Sequence, residues 1–181
     1  PCGEIPLCPY DSCRLLAINL YSYVVNPFNP DAYFDFDLFK KHVALAQRIM
    51  DDIIDLELEK IERIMAKIDS DPENEDVKHT ESVLWQKIYK KSGQGRRTGV
   101  GITAEGDMLA ALGLRYGTEE ATEFAEKVHQ TVALSAYRSS VEMAKERGAF
   151  EVCDSEREKN NPFINRLREA DPELYEEMKK Y

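Results

Sequence analysis

The opening stretch PCGEIPLCPYDSC places Cys2, Cys8, Cys13 and Glu4 within thirteen residues, and the chain has only one other cysteine, Cys153. On an extended backbone Cys2 and Glu4 share one face, and Gly3 between them lets a ligand or another backbone come close. A thiol beside a carboxylate is an odd choice for a core. It suits a site where a sulfur species and a proton acceptor act together. Zinc fits the pattern poorly, because it is held by closely spaced cysteine pairs with a second pair or histidines to match. Here the nearest histidine is His42. A structural disulfide is disfavoured in a reducing compartment. Packing as small buried hydrophobes is the ordinary fate of free cysteines, and it is the expectation for Cys8 and Cys153.

Three further clusters invite chemistry. Glu126 and His129 form an E-x-x-H pair, half of a di-metal carboxylate motif. Its near match, Asp76 to His79, falls in a polar stretch expected to be a connector, so a solvated pair is the preferred reading. The acidic run DDIIDLELE (Asp51 to Glu59) reads as the wet side of a helix. GRRTGVGITAEGD is glycine-rich but lacks the signatures of a phosphate loop or a dinucleotide fingerprint. It reads as a tight turn feeding a helix capped by Thr103.

The elements that must position these groups are mostly helical. Residues 1–30 read as an extended or stranded arm, with RLLAINLYSYVV as one or two strands. Residues 31–181 read as a helical segment of the same single domain. A long helix is predicted from about Asp35 to Asp69, capped by Asp35 or Asp37 and stopped before Pro72. Its apolar stripe runs through Phe36, Phe39, Val43, Met50, Ile53, Ile54, Ile61, Ile64, Met65 and Ile68. A second ridge, Leu38, Leu45, Ile49 and Leu56, lies well around the cylinder. Two apolar faces imply a helix covered on both sides, by more protein than this chain supplies. About five shorter or medium helices follow: Glu81 to Lys91, one ending at Gly113, a longer one capped by Thr118, and two that begin at the prolines of NNPF and DPEL.

Composition bounds the function. The 181 residues suffice for one domain with a real core. A formal charge of −10 argues against a direct nucleic-acid groove, since KKSGQGRR is too brief a basic cluster to outweigh it. No apolar run is long enough to span a membrane. No secretory leader is evident, so the expected location is cytoplasmic.

Taken together, PCGE, PYDSC and AINL resemble the active-site strand of the ribonucleotide reductase catalytic subunit, in its adenosylcobalamin-dependent (class II) branch. GRRTGVGITAEGDMLAALGLRYGTEEA, AYRSSVEMAKERGAF and NNPFINRLREADPELYEEM resemble the segments that follow, in the same order, so that the likeness covers Pro1 to Tyr181. The resemblance implies radical reduction of ribonucleotides to deoxyribonucleotides. Cys2 would carry the thiyl radical that takes the substrate's 3′ hydrogen, and Glu4 would be the base at the 3′ hydroxyl. Cys13 would be one of two cysteines that supply reducing electrons, its fellow lying upstream in the family. Further implied are adenosylcobalamin bound largely outside this chain, a thioredoxin-type or dithiol reductant, the rest of the catalytic subunit around a ten-stranded α/β barrel, and a possible homodimer. On this reading the chain is an excised piece, inactive alone. The competing expectation is a self-contained helical interaction module or di-metal bundle, in which Leu38, Leu45, Ile49 and Leu56 are covered within one chain.

Overall fold

The long helix sets the frame. In a computed structural model that describes residues 7–181, α1 spans Phe36–Ser70. Asp35 caps it, its carboxylate accepting from the Leu38 amide at 2.9 Å. This satisfies one of the donors that every helix start leaves open. Phe39, Val43, Ala46, Met50, Ile54, Ile61 and Ile68 recur at helical spacing and are buried. Ile53, expected in that stripe, is instead exposed. One step of 100° from Ile54 turns it toward the second ridge. The ridge residues Leu38, Leu45, Ile49 and Leu56 are themselves exposed, Leu56 at 62%. Among the described residues this second apolar face is left open to solvent.

α2 (Glu75–Gly95) runs back along α1, with Tyr89 donating to Glu62 at 2.8 Å and Gly93 facing Leu58. It starts earlier than the sequence suggested. The polar stretch expected as a connector holds a helix start at Asn74, whose side chain accepts from the Asp76 amide, with Glu75 and Asp76 in the favourable first turn. Asp76 and His79 therefore ride on a helix, not in a loop.

The N-terminal strands are β1 (Arg14–Asn19), β2 (Val24–Val25) and β3 (Tyr33–Phe34), with a 3₁₀ turn at Leu20–Tyr23 between the first two. β2 pairs antiparallel with β3. β1 pairs in parallel with β4 (Thr98–Thr103), in register from Arg14 opposite Thr98 to Asn19 opposite Thr103. The stretch read as a glycine-rich turn is thus a strand. Gly99 and Gly101 resemble turn residues by composition, yet they alternate with Thr98, Val100 and Ile102 at the two-residue period of a strand.

Because β4 continues through Thr103, that residue does not cap the next helix. The reversal falls on Ala104 (φ 61°), and α3 (Glu105–Ala111) has no side-chain cap. α4 (Glu119–Arg147) begins as expected at Thr118, whose hydroxyl accepts from the Ala121 amide, and stops at Gly148, where φ is 86°. A single turn, α5 (Ser155–Glu158), precedes α6 (Pro162–Ala170) and α7 (Pro172–Met178), each with proline at its first position.

The main core joins β1, the 3₁₀ turn, β3, α1, α3 and α4 through Ile18, Leu20, Tyr23, Phe34, Phe39, Val43, Met108 and Val128. A smaller cluster of Val141, Leu167 and Leu174 seats α6 and α7 on the end of α4. The chain is mainly α with a small stranded component, and β1, α1, α2 and β4 form a parallel strand pair joined by a helical crossover.

Candidate active-site segment

Cys2 and Glu4 lie outside the described residues; Cys13 is within them, half-buried and immediately before β1. Its sulfur approaches the carbonyl of Arg14 at 3.7 Å. Across the sheet lies Gly99. A Cβ there would meet Leu15 Cδ2 at 2.6 Å, closer than real side chains pack, and the Cys13 sulfur at a tight 3.2 Å. A side chain at this position would have to displace Leu15 and press on the Cys13 sulfur.

The turn before Cys13 is tightly held. The Asp11 amide donates to the Cys8 carbonyl at 3.1 Å, Pro9 is the second residue, and Tyr10 has φ 67°. This is the signature of a type II turn, whose third position ordinarily belongs to glycine. A tyrosine there costs about 1 kcal/mol, and its surroundings hold it in place. Lys87 lies over the Tyr10 ring at 5.0 Å. The Asp11 carboxylate, whose side chain is 3% exposed, accepts from Arg97 Nε at 2.6 Å and from the Ser12 amide at 2.9 Å. The hydrogen bond to Asp11 raises the Arg97 guanidinium above its ordinary pKa, with smaller contributions from the Cys8 thiol.

Arg14, the first residue of β1, secures the other end. It is buried, donates to the Ser12 carbonyl at 3.0 Å and to Ser92 Oγ at 2.9 Å, and pairs with Glu57 on α1. The neighbouring arginines of GRR divide the work. Arg97 faces the turn, whereas Arg96 (φ 43°) closes α2 and faces α1. Arg96 donates to Asp51 Oδ1 at 2.7 Å, to Asp55 Oδ1 at 2.8 Å and to the Asp51 carbonyl at 3.0 Å. Arg147, at the end of α4, adds a contact to Asp51 at 2.9 Å. Asp51 raises the Arg96 pKa further above its ordinary value.

These contacts correct two expectations. The acidic run on α1 is not simply a wet face: Asp51 is buried and joins α1, α2 and α4. The carboxylates of Asp51 and Asp55 stand one helical turn apart, a spacing that in hindsight suits a guanidinium. Cys8 and Cys153 are exposed, not packed inside. Both sit in turns, Cys8 as above and Cys153 with its amide bonded to the Phe150 carbonyl, and turns run along the surface.

His129 lies 3.7 Å from Glu105, and among the described residues no three His, Cys, Asp or Glu side chains converge as metal ligands. Two shallow grooves of about 310 and 320 Å³ are lined by Phe36, Lys40 and Lys127 and by Phe34, Leu112 and Phe124 respectively. Such volumes are at the lower end of those that hold drug-sized ligands. A corrin cofactor is larger, and neither groove borders Cys13.

A family model described as "Ribonucleotide reductase, barrel domain" matches residues 1–180. The chain belongs to this family. Among its relatives is a vitamin B12-dependent ribonucleoside-diphosphate reductase of Thermoplasma acidophilum, 33% identical over 150 residues, covering 83% of this chain and 16% of that protein. A reductase of the same description from Mycobacterium tuberculosis (strain H37Rv) is 30% identical over 166 residues, covering 91% and 19%. A ribonucleoside-diphosphate reductase subunit alpha of Chlamydia pneumoniae is 27% identical over 138 residues, covering 76% and 10%. This member of the ribonucleotide reductase family thus spans a fifth or less of the length of these relatives.

Proposed function

We propose that the chain is the active-site segment of a ribonucleotide reductase catalytic subunit, working within a larger polypeptide. The observation that carries this reading is the parallel β1–β4 pair, with Cys13 at its mouth, in a chain that matches the family's barrel domain almost end to end. A parallel pair with a helical crossover is the building unit of α/β barrels. Among the described residues the two strands have open outer edges, which suits a unit extended by further strands. The exposed ridge on α1 likewise suits a neighbour outside this chain. In the intact enzyme the pair would belong to a ten-stranded barrel, with residues 1–30 as the arm carrying the chemistry and residues 31–181 as its support.

In that setting a Cys2 thiyl radical removes the 3′ hydrogen of the ribonucleotide. Glu4 takes the 3′ hydroxyl proton, and the 2′ hydroxyl leaves as water. Cys13 and a second thiol from elsewhere in the subunit give up two electrons and two protons and end as a disulfide, which a thioredoxin-type or dithiol reductant restores. The net change is ribonucleotide plus dithiol to deoxyribonucleotide plus disulfide plus water. Adenosylcobalamin, the form of the vitamin B12 in the description of two relatives, would supply the radical and would be held largely outside this chain. The cytoplasm, where thiols stay reduced, is the fitting location.

The test compares this chain with a polypeptide extended at both ends, each supplied with adenosylcobalamin, ribonucleotide and a dithiol. Deoxyribonucleotide from the extended protein alone is the expected result. Deoxyribonucleotide from neither, with the chain a stable folded monomer, overturns the proposal in favour of an interaction module.

A further inference from the structure

Three features converge on the turn that delivers Cys13. Tyr10 adopts a backbone conformation that tyrosine rarely takes, and such strain persists only where the surroundings over-determine it. Asp11, one residue on, is almost wholly buried and paired with Arg97, which immediately precedes β4. Gly99, two residues beyond Arg97, leaves room for the Cys13 sulfur and for little else. Arg97 therefore grips the turn on one side of Cys13, and the strand that follows it shapes the space on the other.

We infer that the Asp11–Arg97 ion pair positions Cys13, fixing where its sulfur stands on the β1–β4 edge so that it can meet a second thiol. Arg97 is a positioning residue and does not touch the substrate. The pair is well suited to the task. A carboxylate buried against a guanidinium holds direction as well as distance, and thiol–disulfide exchange depends on which sulfur can be reached. A displacement of the order of 1 Å is enough to lower a rate by about 100-fold.

This inference rests on the role proposed for Cys13, so the experiment separates the two. In the complete catalytic subunit, Asp11→Asn, Arg97→Gln, Arg97→Lys and Cys13→Ser are compared with Arg157→Gln. The last is a charge-loss control at a side chain that is 86% exposed. Turnover is measured with a dithiol, and the alkylation rate of Cys13 is read by peptide mass. The expected result is a kcat lowered about 10- to 100-fold in Asp11→Asn and Arg97→Gln. In both, KM for the ribonucleotide is unchanged and the Cys13 alkylation rate is altered alike, while Arg97→Lys recovers part of kcat. Wild-type turnover in Arg97→Gln, with Cys13→Ser inactive, overturns the inference and leaves the function standing. A loss in Arg97→Gln that matches an equal fall in folded protein, with Arg97→Lys no better, makes the pair merely structural and also overturns it. Wild-type turnover in Cys13→Ser overturns the function itself.

Discussion

Gly99 shows how much a single missing side chain decides. Its partner across the sheet is Leu15, and the place where its Cβ would sit is bounded by the Leu15 side chain, the Arg14 carbonyl and the Cys13 sulfur. Leu15 is 68% exposed and can swing aside, whereas the half-buried sulfur has to give ground. Gly99→Ala is accordingly expected to cost the chain only about 1 kcal/mol in urea unfolding, while the alkylation rate of Cys13 changes. An alkylation rate identical to wild type would show that Gly99 does not set the position of the sulfur. Cys2, Glu4 and Cys13 stand out in the sequence as candidates by type and spacing, because chemistry is written in residue types. The Asp11–Arg97 pair does not. Its members are 86 positions apart, and nothing local to either announces the other.

At the scale of elements, local signals marked four helix starts correctly and missed those of α2 and α3. Asp35, Thr118, Pro162 and Pro172 mark starts that the backbone obeys, since a cap answers to donors within three residues. β4 was missed because its partner is β1, reached only after two long helices, and its glycines mimic a turn. The acidic run on α1 was misread for a related reason: only the packed arrangement brings Arg96 and Arg147 to Asp51. That hub ties three helices together, and removing the carboxylate leaves two guanidinium groups with poorer partners. Asp51→Ala is therefore expected to lower stability by about 2 kcal/mol. Asp52→Ala, at a side chain that is 56% exposed and whose one contact to Arg147 is 3.4 Å long, should cost under about 0.5 kcal/mol. Both are read by urea unfolding of the chain, and equal losses would contradict the hub.

Taken as a whole, the molecule carries surfaces made to be covered. Leu38, Leu45, Ile49 and Leu56 form a ridge open to solvent along α1, and the two parallel strands have free outer edges among the described residues. The ridge was visible in outline as the second face of a helix with two apolar faces, although no sequence pattern says what lies against it; the strand pair was not. They fit the proposed catalytic subunit, in which this segment would bring its thiols and carboxylate to a site completed by other parts. The central claim is that Cys2 is the radical-bearing thiol of that site. Its most direct measurement is deoxyribonucleotide formation by the complete subunit carrying Cys2→Ser, with adenosylcobalamin and a dithiol present and nucleotide binding checked in the same preparation. No product with nucleotide binding intact is the result predicted. Product at the wild-type rate would contradict the account.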